Sequence, residues 1–242
     1  MLDYVRLEVR RTLRDRGFVI FGVGMPVVMY VLMTTIGVGA GGAAMEWKTA
    51  SMVGMAAYGA LGAAIGSGTG VAEDKQLGWL RQLRVTPLSP LRVVVGRGLS
   101  ASVTVLPAIA AVLLVGALLN GVRMPAWQWV ALAGLLWLGT APFILLGLGN
   151  GYRLSAQSTG VVNTGCMVLL SIIGGLWFPI ELFPSWLRVP ASWTPGNRFA
   201  ALGHSVTQGE APGLGTVAVL AVWLALFGSY AVYAYRRAAR TA

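Results

Sequence analysis

The chain has 242 residues, of which 56% are hydrophobic and 11% charged, with a formal net charge of +10. Soluble domains carry about 25% charged residues, and a mean hydropathy of +0.72 points to a chain built for an apolar solvent. The basic residues flank apolar runs instead of gathering on one polar face, which excludes nucleic acid as the partner they imply.

Residues 1–16, "MLDYVRLEVRRTLRDR", place Leu2, Val5, Val9 and Leu13 on one helical face with charges around the rest. That pattern predicts an amphipathic helix lying at a membrane surface. Six apolar runs follow, each near the ~20 residues a helix needs to cross a bilayer: 18–38, 50–72, 99–119, 127–148, 161–178 and 214–235. None contains Asp, Glu, Lys, Arg or His. Backbone polar groups in lipid must pair internally, so these runs are expected to be helices. The alternating short segments of a β-barrel are missing from the sequence. The first run, at 21 residues, exceeds the 7–15 of a cleaved signal core and is read as a retained span. Pro26, Pro107 and Pro142 lie inside spans and are expected to kink them.

Six spans put both termini on one side. Fourteen basic residues then fall on the side of the termini, and four (Lys48, Arg123, Arg188 and Arg198) on the other. The positive-inside rule therefore places both termini in the cytoplasm. In the second span Gly62, Gly66 and Gly70 recur every fourth residue and share one face. Such a face suits close helix packing, or the wall of a mobile or pore-lining helix.

The second inner loop, 73–92, reads "EDKQLGWLRQLRVTPLSPLR". Leu77, Leu80 and Leu83 recur at three-residue spacing beside Trp79, which predicts a short amphipathic helix. It should end before Pro87, because the residue preceding a proline is pushed out of the helical region. Thr86–Pro87 and Ser89–Pro90 each pair a helix cap with proline at the first helical position. The expected result is a surface helix, a stiff elbow and a membrane helix. The segment 179–213 is partly apolar and broken by prolines, so it should lie in the outer interface or dip into the bilayer against protein.

Catalytic constellations are absent from the sequence. His204 is the only histidine, and Cys166 the only cysteine, in an apolar run. Glu73 and Asp74 are adjacent and so do not face one another on a helix. The nearest approach to a P-loop, "GAAMEWKT", has Trp47 where the loop needs glycine before its lysine. The spans also lack the intramembrane charges of proton-coupled transporters. A transporter of this kind should borrow its motor through its cytoplasmic loops.

"EDKQLGWLRQLRVTPLSPLRVVVGR" resembles the cytoplasmic loop of ABC-2 type transporter permeases, the membrane subunits of bacterial ABC exporters. "GGLWFPIELFPSWLRVPASWTP", 174–195, resembles their GG-x-x-FP-x-x-x-x-P-x-W segment. The two stretches cover about a fifth of the chain. Where the family has more acid and a Gly-Thr before the elbow, this sequence has Lys75, Gln76, Gly78 and Trp79.

The resemblance implies an all-α integral membrane domain over 1–242, with six spans, the interfacial helix, a coupling helix and short extracellular re-entrant helices. It implies a dimer, homomeric or with a paralogue, in a bacterial cytoplasmic membrane, bound to two ATPase subunits. The chain itself would bind no cofactor; ATP and Mg would sit on the ATPase. Glu73, Leu77, Leu80, Leu83, Arg84, Thr86, Pro87, Leu88 and Ser89 would meet that ATPase. A substrate path is expected at Asn163, Thr164 and Ser171 of the fifth span, with Trp177 and Phe178 at its end. An apolar or amphipathic drug, antibiotic or lipid-like molecule would be exported. An ion-coupled carrier and a non-catalytic scaffold are the alternatives.

Overall fold

The computed structural model describes residues 17–36, 44–77 and 90–241. The interfacial helix expected over 1–16, and the coupling elbow from Leu80 to Ser89, lie outside them. Every regular element among the described residues is helical. A π-helical segment, Phe18–Gly24, runs into α1, Met25–Thr35. Then come α2 (Ala44–Gln76), α3 (Pro90–Leu118), α4 (Ala126–Gly139), α5 (Ala141–Arg153) and α6 (Ala156–Ile173). A 3-10 turn, Ile180–Leu182, leads to α7 (Ser185–Ser192), α8 (Pro195–Thr207) and α9 (Leu214–Thr241). Among the described residues five stretches are long and apolar enough to cross a membrane: α2, α3, α4 with α5, α6, and α9. The apolar helix Val19–Thr35 is shorter than these.

The prolines explain the breaks. Pro142 lacks the N–H that would continue the helix, so α4 and α5 meet at Thr140 instead of running on. Pro26 opens α1, and the turn before it widens to π geometry, with Met25 N–H reaching the Ile20 carbonyl. Pro107 lies inside α3. The fifth span ends earlier than its apolar run suggests. α6 stops at Ile173 because Gly174 comes against the start of α8 and Gly175 takes a left-handed φ of +73°. Trp177 and Phe178 therefore stand in the loop beyond the helix.

α2 is the central element. Its most apolar window is 78% buried, against 17% for those of α6 and α9, and it packs on α3, α5 and α6. Glycines make the tightest crossing. A Cβ on Gly68 would strike the Gly147 carbonyl, one on Gly147 the Ile65 carbonyl, and one on Gly151 the Gly68 carbonyl. α2 and α5 thus touch backbone to backbone, as small residues permit in membranes.

The two ends of the bundle differ. At the basic end Asp74 pairs with Arg97 of α3. The adjacent Lys75 donates to the Tyr152 and Leu154 carbonyls, capping α5. Tyr152 and Tyr235 stack edge to face there, 5.2 Å apart. At the aromatic end α8 is capped by Thr194, whose Oγ1 accepts from Asn197 N–H, and Pro195 opens it. Its buried face carries Phe199 against Phe143 and onto Gly139 of α4. α7 instead leaves Trp186 and Val189 exposed.

Candidate functional site

A groove of about 710 Å³ lies between the π-helical segment, α2, α3 and α6. Phe21, Met25 and Met167 give it apolar surface, and Glu73, Asp74 and Arg97 line it at the basic end. Gly62, Gly66 and Gly70 form its wall on α2. A Cβ on Gly66 or Gly70 would meet nothing within 4 Å, while one on Gly62 would meet the Met167 side chain. Within one chain, then, the stripe faces open space at Gly66 and Gly70, and the packing seam is the neighbouring face at Gly68. Ser100 and Thr104 of α3 complete the opposite wall.

Three fifth-span residues separate by direction. Thr164 faces the groove and gives its hydroxyl hydrogen to the Gly160 carbonyl at 2.9 Å. Asn163 is buried and turned into the bundle. Its Nδ2 donates to the Ile65 carbonyl at 2.8 Å, and its Oδ1 accepts from Asn150 Nδ2 at 2.8 Å. Tyr230 Oη donates to Asn150 Oδ1 at 3.0 Å, so one chain of hydrogen bonds joins α9, α5, α6 and α2. Ser171 is buried and donates to the Met167 carbonyl of its own helix. The structure places Asn163 and Ser171 in helix packing and Thr164 on the groove.

A second cavity, about 450 Å³, lies at the aromatic end between the start of α2, the loop 175–181 and α8. Trp177, Phe178, Trp47, Ser51, Glu181 and His204 line it. Gly54 has no side chain to hold the loop off: a Cβ there would strike the Leu176 carbonyl. With the turn at Gly175, this lays Trp177 against α2, where its ring meets Tyr58 edge on at 5.5 Å. Tyr58 also lines the groove, so this aromatic contact lies between the two cavities. Burial pushes the His204 imidazole below its usual pKa, partly offset by the Glu181 carboxylate.

Of the expected ATPase contacts, Glu73 and Leu77 are described, and both are exposed at the last turn of α2. Tyr58 and the Asp74–Arg97 pair were missed from sequence. Tyr58 was legible in principle, because it stands one step back on the four-residue stripe of Gly62, Gly66 and Gly70.

Residues 4–200 match the sequence model of the ABC-2 type transporter family. The chain belongs to that family. It is also 23% identical over 231 residues to the Bacillus subtilis (strain 168) protein named "Putative transport permease YvfS", covering 95% of this chain and 94% of that one. The family describes a multi-pass membrane permease, a transport subunit rather than an ATPase, and implies association with an ABC ATPase.

Proposed function

We propose that this chain is the permease subunit of an ATP-driven exporter in a bacterial cytoplasmic membrane. Two copies, alike or paralogous, pair into a twelve-span assembly and bind two ATPase subunits, which carry the ATP and Mg. The basic end faces the cytoplasm, with both termini there. Six helices cross the membrane, the short α1 and its π-helical entry being the first. The segment beyond α6 closes the exit.

The observation that carries this reading is the groove. Its wall is the α2 stripe, Phe21, Met25 and Met167 give it apolar surface, and its charged mouth lies at the C-terminal end of α2. An amphipathic drug, antibiotic or lipid-like substrate fits such a lining, with its polar part at Glu73 and its apolar part toward Met25 and Met167.

The chain purified from its own membranes should bring down a P-loop ATPase. A cysteine at Leu83 or Thr86, in a Cys166→Ser background, should crosslink to it. Inside-out vesicles holding both proteins should accumulate substrate only with ATP, and Gly66→Trp should abolish uptake without lowering yield. Transport by the chain alone in liposomes would overturn the reading.

A further inference from the structure

The hydroxyls that line the groove have their hydrogens turned away from it. Ser67 donates to the Ala64 carbonyl at 2.7 Å, Ser100 to Gly96 at 3.2 Å, Thr104 to Ala101 at 2.7 Å and Thr164 to Gly160 at 2.9 Å. These four come from α2, α3 and α6, and all are lining residues. A hydroxyl has one hydrogen and two lone pairs. With its hydrogen engaged on its own helix, each offers an acceptor oxygen. Thr69 and Tyr58, the other hydroxyls of the lining, accept as well as donate.

The charged residues lean the same way. Arg97, the one cation of the lining, is held by Asp74. Glu73 is exposed, and its carboxylate meets no donor or cation among the described residues. An ionised carboxylate only accepts. With Asp74 and Arg97 cancelling, the lining carries one net negative charge.

Depth separates the acceptors. Ser67 stands six residues before Glu73 on α2, about 9 Å at 1.5 Å per residue. Asn163 bonds the Ile65 carbonyl, which sets the adjacent Thr164 at about the level of Ser67. The groove thus offers a carboxylate at its mouth and acceptor oxygens about 9 Å deeper, beside apolar surface from Phe21, Met25 and Met167.

We infer that the groove selects an amphipathic protonated amine, with its ammonium at Glu73 and a second, neutral N–H or O–H donor at the level of Ser67 and Thr164. This rests on the groove being the transport path and names the chemical class that path takes. Anions meet Glu73 unfavourably and find no free cation in the lining to replace it.

The test is binding by the full chain in phosphatidylcholine nanodiscs, read by dansyl fluorescence with empty nanodiscs subtracted. The probe is monodansylcadaverine, whose ammonium and sulfonamide N–H are joined by a pentamethylene chain. Saturable binding is expected, and Gly66→Trp should remove it. Acetylating the amine, which removes the charge, should weaken binding about fivefold. N-dansyl-6-aminohexanoate, an anion of similar length, should bind more weakly still. Glu73→Gln should erase the difference between the amine and its acetamide. Methylating the sulfonamide nitrogen should weaken binding about threefold, and Ser67→Ala with Thr164→Val should erase that difference. Melting temperatures check that each variant folds.

Absence of saturable binding overturns the inference, as does equal affinity for the amine and the carboxylate. A charge preference that survives Glu73→Gln, or a methylation effect that survives the double variant, also overturns it. In each case the transport reading stands or falls separately, on ATPase capture and ATP-driven uptake.

Discussion

Gly66 and Gly68 stand two residues apart on α2 and face different surroundings. Gly68 meets the backbone of α5, where no side-chain atom fits. Gly66 meets open groove. The same residue type thus joins two helices on one face and keeps a passage clear on the next. Glycine spacing alone does not say which; the carbonyl opposite does.

The largest effect should come from filling the seam. Gly68→Leu or Gly147→Leu must push backbone against backbone, so neither should yield a monodisperse protein in detergent, whereas Gly66→Leu should yield one with an unchanged melting temperature. Overpacking a tight site costs about 1–3 kcal/mol even for small additions, and backbone neighbours give less than side chains. Equal yields for Gly68→Leu and Gly66→Leu would erase the distinction.

Next is the polar chain that crosses the seam. Asn163→Leu removes the bond to the Ile65 carbonyl and strands one Asn150 donor, and interhelical hydrogen bonds in membranes are worth about 0.6 kcal/mol on average and up to about 1.7. A drop within that range in unfolding experiments is expected. Thr164→Val, on the groove side of the same helix, should leave stability unchanged and alter substrate handling.

A smaller effect belongs to the groove mouth. Asp74 and Arg97 are both partly exposed, so Asp74→Asn should cost at most about 1 kcal/mol. The double swap Asp74→Arg with Arg97→Asp should restore the melting temperature of wild type.

The smallest effect concerns the aromatic end. The His204 pKa is lowered in the folded protein, so folding favours the neutral imidazole. That stability is fully present above the unfolded value of about 6.5 and is lost as pH falls toward the folded value. Melting temperature should therefore decline modestly below about pH 6.5, and His204→Gln should flatten that part of the profile.

Five of the six apolar runs correspond to helical stretches long enough to cross a membrane, legible because lipid leaves the backbone few options and runs of ~20 apolar residues carry that constraint openly. The end of the fifth was misplaced because Trp177 and Phe178 are as apolar as the helix before them; the tandem Gly174–Gly175 was the stop signal. The groove stripe was visible as spacing, but its openness was not. Asn163 and Thr164 are adjacent in sequence and similar in polarity, yet one ties four helices and the other faces the groove. Their direction depends on where α2 and α5 meet, which is a property of the packed bundle.

α2 is a continuous run of 33 residues, about 50 Å long at 1.5 Å per residue, and it meets the backbone of α5 at Gly68. That crossing is a fulcrum set off-centre. Asp74, near the C-terminal end of α2, lies about 9 Å from it on one side, and Ser51 lies about 25 Å from it on the other. A rod rocked by about 1 Å at Asp74 would sweep about 1.7 Å at Tyr58 and nearly 3 Å at Ser51, enough to shift Tyr58 against Trp177.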